Sequence, residues 1–336
     1  MSRPDIFARP RPEPSAALHP NHPDAPRHEN DNPYMDPQDT GPTPAQAIKA
    51  TPWAFMDPAS IAPRDWIYGH HLIRKYVSAT IAPGSTGKSA LIATDVLAMV
   101  SGRTLLHDRP HEPLRVWLWN GEDPRNELDR RLAATAMHYG LTADDIGDRL
   151  FMDSGREVPI IIGEVVQGSA RVAMPVVEAL VAEIKARRVD VLIIDPFVSA
   201  HRLPENDNGA MDAAVKAFAL VADRTGCAID LVHHTRKLNG ADADMDAARG
   251  GSAIAGAVRS ARALNVMSEE VAKGFGIDGE AERRRHVRID NAKANLGPAC
   301  RSDMVRPGVR RSGQWHRRPP VRPSGRARSV DAAGRF

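Results

Sequence analysis

The chain has 336 residues, enough for one large domain or two small ones. Its two cysteines, Cys227 and Cys300, exclude a disulfide framework and a cysteine-based metal site. Neither a spanning apolar run nor a secretory leader pattern is present, so a cytoplasmic location and no membrane partner are expected. The formal charge is +3, but Arg301–Phe336 alone carries +8, with ten arginines against Asp303 and Asp331. Residues 1–300 are therefore −5 (+3 less +8), so the overall positive charge does not describe a basic folded surface. The 5% aromatic content argues against a surface built on stacked bases.

Residues 1–45 hold eleven of the 27 prolines, without apolar periodicity, and read as a disordered lead. Residues 46–75 bring in aromatics and read as an ordered approach to the first strand. From Tyr76 a strand–helix alternation begins. Val77, Ala79 and Ile81 alternate as in a strand, and Ala90, Leu91, Ala93, Leu97 and Ala98 recur at helical spacing. RVWLWNGED (115–123) reads as a strand ending in acids, and PRNELDRRLAATAMHYG (124–140) as a helix. LFMDS (150–154) is a short strand, MPVVEALVAEIKARR (174–188) a helix, and VDVLIIDPF (189–197) a buried strand. GAMDAAVKAFALVADRTG (209–226) is a helix stopped by Gly226, CAIDLVHHT (227–235) another buried strand, and residues 258–267 and 284–297 read as further strands. Apolar strands alternating with helices predict an α/β domain over 76–298, its mostly parallel twisted sheet covered by helices on both faces.

Between the first strand and helix lies Ala82-Pro83-Gly84-Ser85-Thr86-Gly87-Lys88-Ser89, followed by Ala90. This is the Walker A spacing with Ala in place of the first Gly, in the strand–loop–helix context that its mechanism needs. Loop amides and the helix N-terminus surround phosphates, Lys88 supplies charge, and the Ser89 hydroxyl is a Mg²⁺ ligand. Gly84 and Gly87 are expected to take backbone conformations that a Cβ forbids. A nucleoside triphosphate with Mg²⁺ is the expected ligand.

Three further features sit at strand ends. Asp195 follows Val191–Ile194 and is placed to hold the Mg²⁺ shell as a Walker B carboxylate. Glu122 and Asp123 follow another strand; one can activate the attacking water, and an acid before Pro124 can equally cap the next helix. His233 and His234 end a third strand and read either as a γ-phosphate sensor or as structural histidines.

IAPGSTGKS, WNGEDP, IIDPF, TGCAIDLVHHTRK, ARGGSA and DNAKANLG occur in the order found in RepA-like plasmid replicative helicases. Over Trp53 to Pro298 the chain resembles these RecA-fold ATPases, relatives of DnaB-type hexameric helicases and of a wider group of phage and plasmid AAA ATPases. The resemblance implies ATP as substrate, Glu122 as catalytic base, Asp195 as Walker B residue, His233 as the strand-end histidine and Arg131 as a nucleotide-binding arginine. It further implies that Arg259 reaches a neighbouring subunit's γ-phosphate and that Lys293 points across the same interface, with Arg249 and Arg262 as rivals for the arginine. A homo-oligomeric ring of hexameric type acting on single-stranded DNA follows, the DNA moved by loops near His233–Gly251, with the polar segment KLNGADADMDAARGG (237–251) facing the DNA. Asp242, Asp244 and Asp246 in that segment are awkward for phosphate contact. A regulatory ATPase with a protein partner is the other reading, and a module that only binds ATP is a third, disfavoured by Glu122.

After Pro298 the family pattern requires a Trp-bearing strand and an LGNG-like turn, whereas residues 299–336 turn Arg-rich and lose periodicity. A shifted reading frame accounts for this. Met304-Val305 must be ATG-G, which gives Trp one base later, and Val309–Arg317 permits SVDLGNGT in the same shifted frame. A disordered tail and an unpaired last strand are then expected. Reading the nucleotide sequence checks it: the frame one base later, beyond codon 298, should encode that strand and turn, and an early stop there would sink the idea.

Overall fold

The computed structural model describes residues 49–106, 108–235, 243, 251–296, 303–306 and 329–331. The chain forms two compact units, residues 1–61 and 62–336. The described part of the first contains a short 3-10 turn at Pro58–Ser60, capped by the Asp57 carboxylate, which accepts from the Ala59 N–H at 3.0 Å. The expected disordered lead, residues 1–45, lies outside the described residues.

In the second unit a hairpin of β1 (Trp66–Tyr68) and β2 (Leu72–Ile73) precedes β3 (Val77–Ala82) and α1 (Lys88–Ser101). There follow β4 (Val116–Asn120), α2 (Arg125–Tyr139), α3 (Ala143–Ile146) and β5 (Leu150–Ser154). A second hairpin, β6 (Gly163–Val166) and β7 (Ser169–Val172), leads to α4 (Met174–Arg187), β8 (Val191–Asp195), α5 (Asn208–Thr225) and β9 (Ala228–His234). The unit continues through α6 (Gly251–Ala257), β10 (Ser260–Val266), α7 (Glu269–Gly274), α8 (Glu280–Arg283), β11 (Val287–Ala294), β12 (Asp303–Arg306) and β13 (Ser329–Asp331). Both hairpins and α6, α7 and α8 escaped the periodicity, being too short to show a repeat. No described helix is long and apolar enough to cross a membrane.

Among the described residues the main sheet has nine strands in the order β13-β12-β11-β10-β3-β9-β8-β4-β5. The strands from β10 to β5 are parallel, and β11 returns antiparallel. This is the mostly parallel α/β sheet of the RecA-like P-loop class. Its order puts β9 between the Walker A strand β3 and the Walker B strand β8. Strand alternation then sends successive side chains into two cores. Ile81, Ile194 and Leu231 meet α4 and α5 residues such as Leu180 and Phe218, while Leu118, Ile193 and Val232 meet α1 residues such as Val96 and Leu97. A strand apolar on both faces reads as an unbroken apolar run, which is why these segments were legible.

The expected unpaired edge at β11 is corrected: β12 pairs with it antiparallel, Val287 opposite Val305 and Ile289 opposite Asp303. Ladder bonds join backbone to backbone, so an extended segment of almost any sequence can satisfy such an edge. The rest of residues 299–336 lies outside the described residues, apart from β13.

Beneath the α1 face lies a buried polar network. Arg262 on β10 pairs with Asp95 of α1 at 2.7 Å and donates to the Thr80 hydroxyl of β3 at 2.9 Å. Thr80 donates to Asp230 of β9 at 2.7 Å, and His71 reaches the same carboxylate at 3.2 Å. Tyr68 donates to Asp95 at 2.8 Å. Arg262 is therefore no rival for an intersubunit arginine, since its guanidinium is enclosed within its own domain. Removing one partner of a buried ion pair leaves the others uncompensated, typically at about 3–5 kcal/mol. Arg262→Leu is expected to lower stability by roughly that amount in denaturant melts, and an unchanged midpoint would refute the network's role.

Candidate nucleotide site

β3 delivers Ala82 to the tip of the sheet, and the chain turns back into α1 through Pro83–Gly87. Gly87 takes φ 87° and Ser85 φ 63°, and the Thr86 hydroxyl donates to the Pro83 carbonyl at 2.8 Å, closing the loop. The expectation for Gly84 is corrected: the left-handed residue beside it is Ser85, and a Cβ on Gly84 would meet no protein atom within 4 Å. The space over Gly84 is open to a ligand. Among the described residues, the amides of Gly84, Ser85, Thr86 and Gly87 donate to no protein acceptor. Consecutive free N–H groups ahead of a helix form an anion-binding concavity.

Lys88 and Ser89 open α1, and Ala90 follows with its N–H on the Gly87 carbonyl at 3.1 Å. The Lys88 ammonium turns back over the strand tips, 3.3 Å from Asp195 Oδ1 and 2.9 Å from His234 Nε2. Asp195 is 4% exposed, and burial raises its carboxyl above the ordinary range while Lys88 opposes the shift. A buried carboxylate lining the same cleft as Ser89 offers hard oxygen donors, which fits Mg²⁺. Ser89, Asn120, Arg131 and Asp195 line one cleft between α1 and α2.

Glu122 is exposed beyond β4, and its charge acts on both Asp195 and His234. Its neighbour Asp123 does not cap α2. The N-cap is Pro124, and the Asp123 carboxylate instead takes Arg131 at 2.6 Å, with Glu127 holding the same guanidinium at 3.2 Å. The capping reading is thus corrected, and Arg131 is aimed by two acids at the cleft wall.

The strand-end histidine is also reassigned by geometry. His233 is 1% exposed and meets Phe197 edge-on at 6.0 Å, whereas His234, one residue later on the opposite face, touches Lys88. Sequence spacing could not separate adjacent residues whose faces alternate. Burial, then the Lys88 charge, holds His234 below the ordinary histidine range. An ammonium only donates, so His234 must present an unprotonated Nε2 to it.

Arg259 and Lys293 do not join this cluster. Arg259 is exposed with no acidic partner among the described residues, and its N–H donates to the carbonyl of Val77, at the far end of β3 from the loop. At about 3.3 Å per strand residue, Val77 stands roughly 17 Å from Ala82. Lys293 donates to the Ala255 carbonyl of α6 in its own chain, and burial, then Arg259, lowers its pKa. Arg249 lies outside the described residues, as do all of 236–250 except Ala243, whose backbone is bonded on both sides by the Asn265 amide. Sequence reading missed Asn120, which accepts from the Glu122 and Asp123 amides, and Arg156, which donates to the Glu122 carbonyl at 2.9 Å. Asn120 lies within WNGEDP but carried no role there beyond that of an Asn ahead of a turn, and Arg156 lies outside every motif.

The Lys88–His234 contact is testable without nucleotide. His234 is expected to titrate below the ordinary value of about 6.5, and Lys88→Met should move its NMR midpoint upward. An unmoved midpoint would refute the contact.

A family model of the AAA domain matches residues 42–240, more than half of the chain and the whole of the loop, Glu122, Asp195 and His234 constellation. The chain belongs to this AAA domain family.

Proposed function

We propose that the protein is a Mg²⁺-dependent ATPase of the RecA-like, ring-forming type, a helicase-like motor acting on single-stranded DNA. The observation that carries hydrolysis is the convergence of Lys88, Asp195 and His234 at the mouth of a loop of free amides, with Glu122 close enough to bias two of them. Loop amides and Lys88 bind the β- and γ-phosphates, which draws Lys88 away from Asp195 and His234. Ser89 and Asp195 would hold Mg²⁺, which when bound would supply charge neutralisation on the phosphate oxygens. Glu122 takes the proton of the attacking water at its carboxylate. The new bond forms from that water to the γ-phosphorus as the bond to the ADP oxygen breaks. His234, freed from Lys88, reports the state of the γ-phosphate, and Arg131 lines the cleft behind Ser89.

The distance from Arg259 to its own loop supports a role in trans. An arginine that cannot reach its own phosphates, yet has no acid beside it, suits a neighbour's γ-phosphate in a hexameric ring. The run of Asp242, Asp244 and Asp246 favours the second reading, a regulatory ATPase with a protein partner, because carboxylates repel a DNA backbone.

The deciding experiment measures ATPase rate with and without single-stranded DNA, at two salt concentrations, on a sample of known oligomeric state. DNA stimulation that fades with salt is expected; absence of stimulation selects the regulator. Lys88→Ala should abolish turnover. Glu122→Gln should bind ATP and lose about 10²–10⁴ in kcat. Arg259→Ala should keep ATP affinity but lose hydrolysis, and mixing it with Lys88→Ala should restore part of it. A dead mixture with proven subunit exchange refutes the trans arginine.

A further inference from the structure

Asn120 closes β4 directly opposite Asp195, which closes β8. The side chain is 4% exposed, and its oxygen accepts from the Glu122 N–H at 3.0 Å and the Asp123 N–H at 2.8 Å. Two donors on that oxygen fix the orientation of the amide, because a flip would set its NH₂ group against both N–H groups. The NH₂ group is thereby turned to Asp195 Oδ2, 3.5 Å away. The backbone makes the same tie, with the Gly121 N–H on the Asp195 carbonyl at 2.9 Å.

The turn is held from its other sides as well. The Ser154 hydroxyl donates to the Asp123 carbonyl at 2.7 Å, and the Gly155 N–H donates to the Asn120 carbonyl at 2.7 Å. A Cβ on Gly121 would lie 2.3 Å from the Ser199 Cβ, so the turn is pressed against the segment that follows β8. Among the described residues, only the Asn120 side chain touches both the Asp195 carboxylate and the amides of the Glu122 turn.

We propose that Asn120 is a positioning residue that holds the metal-ligand carboxylate of Asp195 and the general-base turn at Glu122 in one fixed relation; this rests on the ATPase reading above. Its oxygen fixes where Glu122 leaves the backbone, and its NH₂ group fixes which Asp195 oxygen faces Lys88. The spacing between base and metal ligand is then set by one planar group instead of by two independent loops.

The test compares Asn120→Ala, which removes both contacts, with Asn120→Asp, which keeps an acceptor for the two N–H groups and loses the donor toward Asp195. Both variants should melt cooperatively and keep ATP affinity near wild type. Both should lose kcat by at least about tenfold, since a misplacement of ~1 Å near the chemistry costs about 100-fold. In the nucleotide-free protein, hydrogen exchange at the Glu122 and Asp123 amides should quicken in Asn120→Ala and stay slow in Asn120→Asp. Wild-type kcat in either folded variant overturns the proposal. So does unfolding of both, or loss of ATP affinity in step with kcat, each of which marks a packing residue. Full turnover in Lys88→Ala sinks the assignment of hydrolysis to this loop, and the positioning role falls with it, a result distinct from a wild-type-like Asn120 variant in an enzyme that Lys88→Ala kills.

Discussion

A carboxylate at the tip of β8 with only 4% exposure is the constraint around which the site is arranged. Burying an ionised group without compensation costs several kcal/mol, and the surrounding groups read as answers to that cost. Lys88 brings a positive charge from α1, Asn120 turns an amide from β4, and His234 completes the cover from β9. Each comes from a different element, and all are brought to one place because β4, β8 and β9 run parallel, with β4 and β8 ending level and β9 running slightly further. The compensation is incomplete, since burial still raises the Asp195 carboxyl against the pull of Lys88. That residual deficit is what the proposed divalent cation would fill.

The same economy of placement governs the α1 face. Asp95 and Arg262 join the helix that begins with Lys88 to β10, the strand that follows Arg259. The helix is thus anchored at mid-length by a buried ion pair, while its first turn stays free to face a ligand. Helices held by apolar packing alone can slide; a charge pair with fixed geometry on three strands resists it. Such networks cost desolvation and return specificity of register, which is what a loop of free amides at Gly84–Gly87 requires of the helix behind it.

Position in the sheet divides the candidate site residues into two groups. Lys88, Ser89, Asp195, Glu122, His234 and Arg131 gather at the C-terminal strand ends and in the cleft between α1 and α2. Arg259 and Lys293 stand at the start of β10 and on the paired stretch of β11, at the opposite end of the sheet. Burial first, and then the charge of Arg259, lowers the pKa of Lys293, and among the described residues no acid pairs with either side chain.

The amino-acid sequence by itself determined the strand–loop–helix turn at Ala82–Ser89, the buried strands, and the position of Asp195 and Glu122 at or just beyond strand ends. These features are local: a Gly-bearing turn before a helical repeat, and apolar runs that end in an acid, carry their meaning within about ten residues. The tertiary structure decided everything that depends on which strands are neighbours and which face a side chain takes. It chose His234 over His233 for Lys88, because adjacent strand residues point oppositely and only the cover of α1 or Phe197 tells them apart. It moved Asp123 from helix cap to partner of Arg131, buried Arg262, and paired β11 with β12. It also revealed the link that Asn120 makes from the local Glu122 turn to Asp195, 75 residues away on the neighbouring strand. No spacing along the chain could have carried that information.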